Sequence, residues 1–275
     1  MSKIPETASM AVFCDFENIA LGVRDARYAQ FDISKVLERL LLKGSIVVKK
    51  AYCDWERYKE FKAAMHEAAF ELIEIPHVRQ SGKNSADIRM VVDALDLCYT
   101  KAHVDTFVVV SGDSDFSPLV SKLRENNKNV IGVGVKNSTS ELLIANCDEF
   151  IYYDNLVSEK KKRKRPVRKS PGTGAKTAVT ETKKEKDAET LTQEALDLVM
   201  ETLEALAEER GSEDKIWGSM VKQTLKRRRP GFNESYYGFR SFKRLLDEAA
   251  ARGLMELEPD EKSGGYIIRS FHQED

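Results

Sequence analysis

The chain has 275 residues, a hydrophobic content of 41% and a formal net charge of −1. Its length predicts two domains, and no apolar stretch approaches the ~20 residues that a membrane helix needs. The N-terminal residues lack the pattern of a secretory signal, so we expect a cytoplasmic protein with no membrane partner. Four scattered cysteines without a CxxC pair predict neither a zinc site nor a disulfide framework, and four histidines outside any nucleophile motif disfavour acyl-transfer chemistry.

Short β-rich runs alternate with amphipathic helical stretches from about residue 10 to 155. The strand candidates are MAVFCDF, SIVVKKAYC, FELIEI, TFVVVS, NVIGVGV and EFIYY. Between them the apolar residues recur at helical spacing, as in the stripe formed by Ile33, Val36, Leu37, Leu40 and Leu41. Strands that alternate with helices predict an α/β fold, in which a mostly parallel sheet is covered on both faces to give three layers.

The apolar periodicity stops after this region. Residues 157–190 are rich in Lys, Pro, Gly, Thr and Ser and predict a flexible linker between a first domain at 1–156 and a second at 191–275. Its basic run EKKKRKRPVRK could hold RNA electrostatically or act only as a soluble spacer. In the second domain, helical stretches are followed by the strand pair LMELEPD and GGYIIRS, which predicts a winged helix.

Acidic and amide side chains follow two of the predicted strands. Asp113 and Asp115 come after TFVVVS, and Asp15 with Asn18 comes after MAVFC. Ligands of a parallel α/β sheet bind beyond the carboxyl ends of its strands. If these two strands are neighbours, we expect their loops to bring three carboxylates and an amide into one crevice.

The stretch GKNSADIRMVVDAL offers a further carboxylate. Asp87 falls in the first turn of a predicted helix, with Ser85 as a candidate N-cap. Asp93 lies six residues on, roughly 240° around the helix, so the two cannot readily bind one ion and we favour Asp87. Lys83 could contact a substrate phosphate, although a solvated loop lysine explains it equally well.

Helix and turn capping is the structural alternative for these polar residues. Either Ser114 or Asp115 could cap the helix after SGD, and Ser111 and Ser140 could cap turns or steady the acids and a phosphate. Capping accounts for a single aspartate better than it accounts for acids on three separate segments. A shared polar site is therefore favoured for the set.

Crowded carboxylates repel one another unless a proton or a cation neutralises them. Oxygen ligands without cysteine or histidine fit Mg²⁺ or Mn²⁺, with waters and a substrate phosphate completing the shell. Such an ion can activate a water and offset charge on a phosphate. The pattern therefore indicates phosphodiester hydrolysis.

Four segments in order, VFCDFENI, GKNSADIRMVVDAL, VVVSGDSDFSPLV and STSELLIANCDEFIYY, resemble the NYN domain, a PIN-like nuclease family that includes the LabA-like proteins. The resemblance covers roughly residues 10–155 and implies a PIN-like sandwich with a metal-dependent endoribonuclease site. It assigns the acids of that site to Asp15, Asp87, Asp113 and Asp115, with Asn18 beside the first. Asp93 also occupies a position that is often acidic in such domains.

The segment RRRPGFNESYYGFRSFKRLLDEAAARGLMELE resembles the OST-HTH domain, also called LOTUS, over about residues 192–269. Its basic side chains are candidate RNA contacts: Lys222, Lys226, Arg227, Arg228, Arg229, Arg240 and Lys243, with Arg244 in the same row. A solvated basic helix face explains them as well. Tyr237, Phe239 and Phe242 are expected to be core residues of the winged helix.

The leading hypothesis is a ribonuclease that requires Mg²⁺ or Mn²⁺ and whose C-terminal domain recruits RNA. The alternatives are a catalytically silent RNA-binding adaptor and a phosphatase that uses Asp113 and Asp115 as a nucleophile pair. Exposed apolar surface around Phe31, or the edge of the sheet, could support a homodimer.

Overall fold

The structure, a computed structural model, describes residues 8–75, 85–157, 178–210, 215–260 and 265–271. These residues form two compact units, one on each side of the stretch 158–177. Within the described ranges, no helix combines the length and the apolar character needed to cross a membrane.

The first unit is built on a parallel sheet of six strands. They are β1 (Ala8–Asp15), β2 (Gly44–Cys53), β3 (Glu71–Glu74), β4 (Thr106–Val110), β5 (Asn129–Gly134) and β6 (Glu149–Tyr152). The spatial order is β3-β2-β1-β4-β5-β6, and every neighbouring pair is parallel. The prediction of a parallel sheet is confirmed, and the order reverses direction between β1 and β4, where ligands bind in such sheets.

Helices cover both faces of the sheet. They are α1 (Phe16–Asp25), α2 (Ile33–Leu41), α3 (Lys59–Glu67), α4 (Ser85–Thr100), α5 (Ser117–Glu125) and α6 (Glu141–Asn146). Along β1, Met10, Val12 and Cys14 pack with α1, α2 and α3, whereas Ala11 and Phe13 pack with α4, α5 and α6. Successive side chains of a strand point to opposite faces, so a strand that is apolar throughout can be buried on both.

The prediction of exposed apolar surface around Phe31 is wrong. This side chain is only 6% exposed, and its ring lies 5.9 Å from that of Phe16 and 5.2 Å from that of Tyr153. The loop between α1 and α2 folds the ring back onto the core, because burial of an aromatic side chain outweighs the cost of ordering a short loop. The sheet edge stays the predicted surface for a homodimer.

The second unit is a small α+β structure. Its elements are α7 (Ala178–Arg210), β7 (Ile216–Trp217), α8 (Gly218–Arg228), α9 (Phe242–Ala251), β8 (Met255–Pro259) and β9 (Tyr266–Phe271). The strands form an antiparallel sheet in the order β7-β9-β8. Phe242 is buried in the core of this unit, and Tyr237 and Phe239 pack against it.

Helix α7 begins earlier than the sequence pattern suggests. The sequence predicts regular structure only from about residue 191, but the helix starts at Ala178, inside the expected linker 157–190. The segment 178–190 lacks apolar periodicity, which is typical of a linker, yet it is rich in Ala, Glu and Lys. These residues have high intrinsic helix propensity, so a segment without an apolar stripe can still be helical.

Candidate functional site

The candidate site lies where β1 and β4 end side by side. The two strands pair from Met10 opposite Thr106 to Cys14 opposite Val110, so Asp15 and Ser111 emerge at the same edge of the sheet. The Ser111 hydroxyl donates to Asp15 Oδ2 at 3.0 Å, and the Asn18 backbone N–H donates to Asp15 Oδ1 at 3.3 Å. Asp15 thus caps α1, is only 8% exposed and has a donor on each carboxylate oxygen.

The turn after β4 is bonded to the start of α1. The Gly112 backbone N–H donates to the Asn18 side-chain oxygen at 2.9 Å, and the Asp113 N–H donates to Ser111 Oγ at 3.2 Å. The Asp113 carboxylate accepts from the Asp115 N–H at 3.0 Å. Asp113 therefore caps the short 3₁₀ turn Ser114–Phe116. Helix α5 follows this turn directly and has no side-chain cap, so neither Ser114 nor Asp115 caps it.

Gly112 is required by a close backbone approach. A Cβ atom there would lie 2.5 Å from the Ser138 carbonyl oxygen, and the Gly112 carbonyl accepts from the Ser140 N–H at 2.9 Å. Ser140 in turn caps α6 by accepting from the Leu142 N–H. Ser140 therefore has the structural role that the sequence left open, whereas Ser111 steadies an acid.

Asp87 comes from α4, which packs on the face of the sheet opposite α1. It lies in the first turn of α4 and is half-buried. Burial raises the pKa of Asp15 to about 7, and the negative charges of Asp87 and, more weakly, Asp113 add to that rise. These charges act strongly only at short range, so Asp87 and Asp113 lie close to the Asp15 carboxyl, and we call this group the carboxylate crevice. Asp115 is exposed beside it.

Asp93 belongs to a separate network on the same helix. It accepts from the Tyr52 hydroxyl at 2.9 Å and pairs with Lys50 at 3.3 Å and Arg89 at 3.0 Å. Burial tends to raise the pKa of Asp93, but these donors and positive charges outweigh it and hold the pKa below its ordinary value. Asp93 is therefore neutralised by its own partners, consistent with the geometric preference for Asp87.

The donor set fits a hard divalent cation. Asp15, Asp87 and Asp113 offer only oxygen, and a cation would offset the repulsion that the charges of Asp87 and Asp113 exert on an ionised Asp15. In the described ranges, no three acidic, histidine or cysteine side chains are placed to enclose an ion by themselves. Mg²⁺ does not need such a cage, because one or two carboxylates, waters and substrate phosphates usually complete its shell.

The candidate RNA contacts of the second unit lie on its surface, and three of them have acidic partners. Lys222 pairs with Glu234 at 2.8 Å, while Arg228 and Arg229 lie 2.6 Å and 3.9 Å from Glu201. Four others are exposed or half-exposed: Lys226, Arg227, Arg240 and Lys243, the last with its ammonium 4.6 Å from the Tyr266 ring centre. Lys83 lies outside the described residues.

Several known proteins resemble this chain over about half of its length. An uncharacterized protein of Methanocaldococcus jannaschii is 28% identical over 138 residues, which cover 48% of this chain and 54% of that protein. Meiosis regulator and mRNA stability factor 1 of Xenopus tropicalis is 27% identical over 150 residues, which cover 54% of this chain and 9% of that protein. The chain therefore matches about half of the archaeal protein and under a tenth of the frog protein.

A solved structure has the same fold. A protein of unknown function from Vibrio parahaemolyticus aligns with a TM-score of 0.50 and 26% identity, covering 56% of this chain and 98% of that one. The family model of the NYN domain matches residues 9–155, more than half of the 275 residues. That span contains the carboxylate crevice and the parallel sheet except for Ala8, the first residue of β1, and its architecture is the PIN-like α/β sandwich. The chain belongs to the NYN domain family.

Proposed function

We propose that this protein is a ribonuclease that requires Mg²⁺ or Mn²⁺. One observation carries the proposal: burial raises the pKa of the Asp15 carboxyl to about 7, and the negative charges of Asp87 and Asp113, from two other segments of the chain, add to that rise. Membership in a nuclease-like family supports it, as does the similarity to a frog protein whose name refers to mRNA stability.

Asp15, Asp87 and Asp113 would hold the ion, with Asp115 available at the exposed rim. When bound, such an ion activates a water and offsets negative charge on the attacked phosphate. Asp15 must be ionised to act as a ligand, and cation binding favours its ionised form. The protein keeps this carboxylate in one orientation through the donors from Ser111 and Asn18.

Asn18 would position the substrate. Its side-chain oxygen is already occupied by the Gly112 N–H, and no described residue accepts a hydrogen bond from its amide NH₂ group. That NH₂ group lies beside the crevice and can donate to a phosphate oxygen. Asn18 would thus orient the scissile group relative to Asp15 while it ties α1 to the turn after β4.

The second unit would recruit RNA as an OST-HTH-like domain. Four basic side chains can contact phosphates directly, because none has a paired carboxylate among the described residues: Lys226, Arg227, Arg240 and Lys243. Lys222, Arg228 and Arg229 would first have to give up their carboxylate partners for a phosphate. The pairs of Arg228 and Arg229 with Glu201 are exposed, so their exchange costs little, whereas Glu234 is largely buried and holds Lys222 more strongly.

The test is cleavage of a mixed set of labelled RNAs by the purified protein in Mg²⁺, Mn²⁺ or EDTA. Wild type should cut only with metal, and Asp113→Asn should reduce the rate by about a hundredfold or more, as expected for loss of a ligand. Asp96→Asn is a matched control, because Asp96 is exposed on α4 and its carboxylate makes no described contact. RNA that stays intact although it binds tightly would identify a silent RNA-binding adaptor instead.

A further inference from the structure

A pocket lined by aromatic and arginine side chains lies along α1, on the opposite face of the sheet from α4. Its volume is about 400 Å³, within the range of ligand-binding pockets. Ala20, Leu21 and Arg24 of α1 form one wall, and Arg57, Tyr58 and Phe61 form another. None of these residues takes part in the carboxylate crevice.

The pocket begins close to the candidate site. Arg57 on its rim pairs with Glu17 at 3.3 Å, and Glu17 lies between Asp15 and Asn18 in the chain. Glu17, Ala20, Leu21 and Arg24 follow helical spacing, so they form one stripe that runs about 10 Å along α1 from its first turn. A polymer that leaves the crevice over this turn would reach the pocket directly.

The aromatic wall is rigid and partly open. Tyr58 and Phe61 are half-buried, with ring centres 6.4 Å apart. Both rings pack edge-on against the fully buried Phe16, at 5.7 and 5.0 Å. Such a surface can accept a planar group without first ordering its own side chains, which is the usual way in which proteins bind the bases of single-stranded RNA.

Two arginine side chains lie beside the aromatic wall of the pocket. Arg24 and Arg57 line the pocket together with Tyr58. Burial and the charge of Glu17 raise the pKa of the Tyr58 hydroxyl, and the two arginines act against that rise. Arg57 pairs with the partly exposed Glu17 at 3.3 Å and Arg24 with the exposed Asp25 at 3.6 Å, and Glu60 also lines the pocket. Exposed pairs of this kind are weak, and a phosphate can replace the carboxylate with a bidentate contact.

We propose that this pocket binds one nucleotide of the RNA, with its base against Tyr58 and Phe61 and its phosphate on Arg24 and Arg57. The inference rests on the proposed function and extends it: the pocket fixes a nucleotide next to the scissile phosphodiester and selects single-stranded RNA, since a paired base cannot enter. Substrate therefore lies across the carboxyl edge of the sheet, from the crevice over Glu17 to α1.

Kinetics of the full-length protein on short single-stranded RNA give the first test. Arg57→Gln and Phe61→Leu should each raise KM about tenfold, in line with the loss of one phosphate or stacking contact, and leave kcat nearly unchanged. Arg124→Gln is the control: it removes an arginine of similar exposure that pairs with Asp148 at 3.1 Å near the opposite edge of the sheet. An unchanged KM in both pocket variants would overturn the inference.

Photo-crosslinking separates this inference from the nuclease assignment. Asp113→Asn protein is mixed with RNA that carries 4-thiouridine at one position at a time, and the crosslinked peptides are mapped. One position should crosslink to Tyr58 or Phe61, whether or not wild type cleaves RNA. Crosslinks confined to other parts of the chain would refute the pocket even if cleavage is robust. Crosslinks at the pocket without cleavage would retain it and refute the nuclease.

Discussion

Asp15 is the residue on which the chemistry of the crevice depends. The carboxyl is buried, and its pKa is raised to about 7 from an ordinary value of 3.8, first by burial and then by the charge of Asp87. Between these two pH values the unfolded chain is ionised while the folded carboxyl retains its proton. Folding stability from this group is therefore present at low pH and is lost as the pH rises through about 7.

The substitution Asp15→Asn should stabilise the protein at pH 8 in EDTA. The amide resembles the protonated carboxyl and can keep the contacts to Asn18 and Ser111. We expect a gain of about 2–4 kcal/mol at pH 8 that shrinks towards pH 4, measured by urea unfolding across this range. If Asp15→Asn instead destabilises the protein equally at pH 4 and pH 8, the ionisation of Asp15 does not reduce the stability of the folded state. Mn²⁺ should stabilise wild type and have little effect on the variant.

Helix α4 carries two acidic residues with different surroundings. Asp87 faces the crevice, whereas Asp93 is held by Tyr52, Lys50 and Arg89. Their separation around the helix, which the sequence already indicates, decides which of them can act on a substrate.

Matched substitutions on this helix should therefore have opposite effects. Asp93→Asn should lower the free energy of unfolding by about 1–3 kcal/mol, because it weakens a partly buried charged network, and should leave kcat nearly unchanged. Asp87→Asn should lower kcat strongly and leave stability equal or higher at pH 8. Unfolding curves and cleavage rates of the two proteins measure this, and loss of activity in Asp93→Asn alone would reverse the assignment.

For the whole molecule, the sequence predicts the sheet well and the connections poorly. Buried strands such as TFVVVS show as continuous apolar runs, and the polar residues at their ends follow from the parallel topology. The start of α7 is missed because a polar helix leaves no apolar period, and the burial of Phe31 is missed because it depends on a loop that folds onto Phe16. These features are set by tertiary contacts or by propensity, which apolar periodicity does not report.

Only part of the candidate site can be predicted from the sequence, because some of its contacts depend on tertiary packing. Asp15, Asp113 and Asp87 lie next to recognisable strand ends or a helix start, so their grouping can be predicted. The bond from the Gly112 N–H to Asn18 cannot, because it joins residues 94 positions apart. The pocket residues Tyr58 and Phe61 resemble part of an ordinary turn and amphipathic helix in sequence, and their packing on Phe16 of α1 is a tertiary contact that the sequence pattern does not show.

The two units have separate cores, which predicts independent folding. A fragment 1–157 should unfold in a single cooperative transition and cleave short RNA with an unchanged kcat, because the crevice and the pocket both lie within it. Its KM for long RNA should rise about tenfold or more, since the recruiting unit is absent. Circular dichroism and steady-state kinetics of the fragment test this, and a fragment that folds but has no activity on short RNA would contradict it.

The most direct measurement of the central claim is Mn²⁺ binding, followed by electron paramagnetic resonance, in wild type and single variants. If Asp15, Asp87 and Asp113 hold one cation site, each change to Asn should weaken Mn²⁺ binding about tenfold or more, whereas Asp93→Asn and Asp96→Asn should not. Equal Mn²⁺ affinity in wild type and in all three crevice variants would contradict the account.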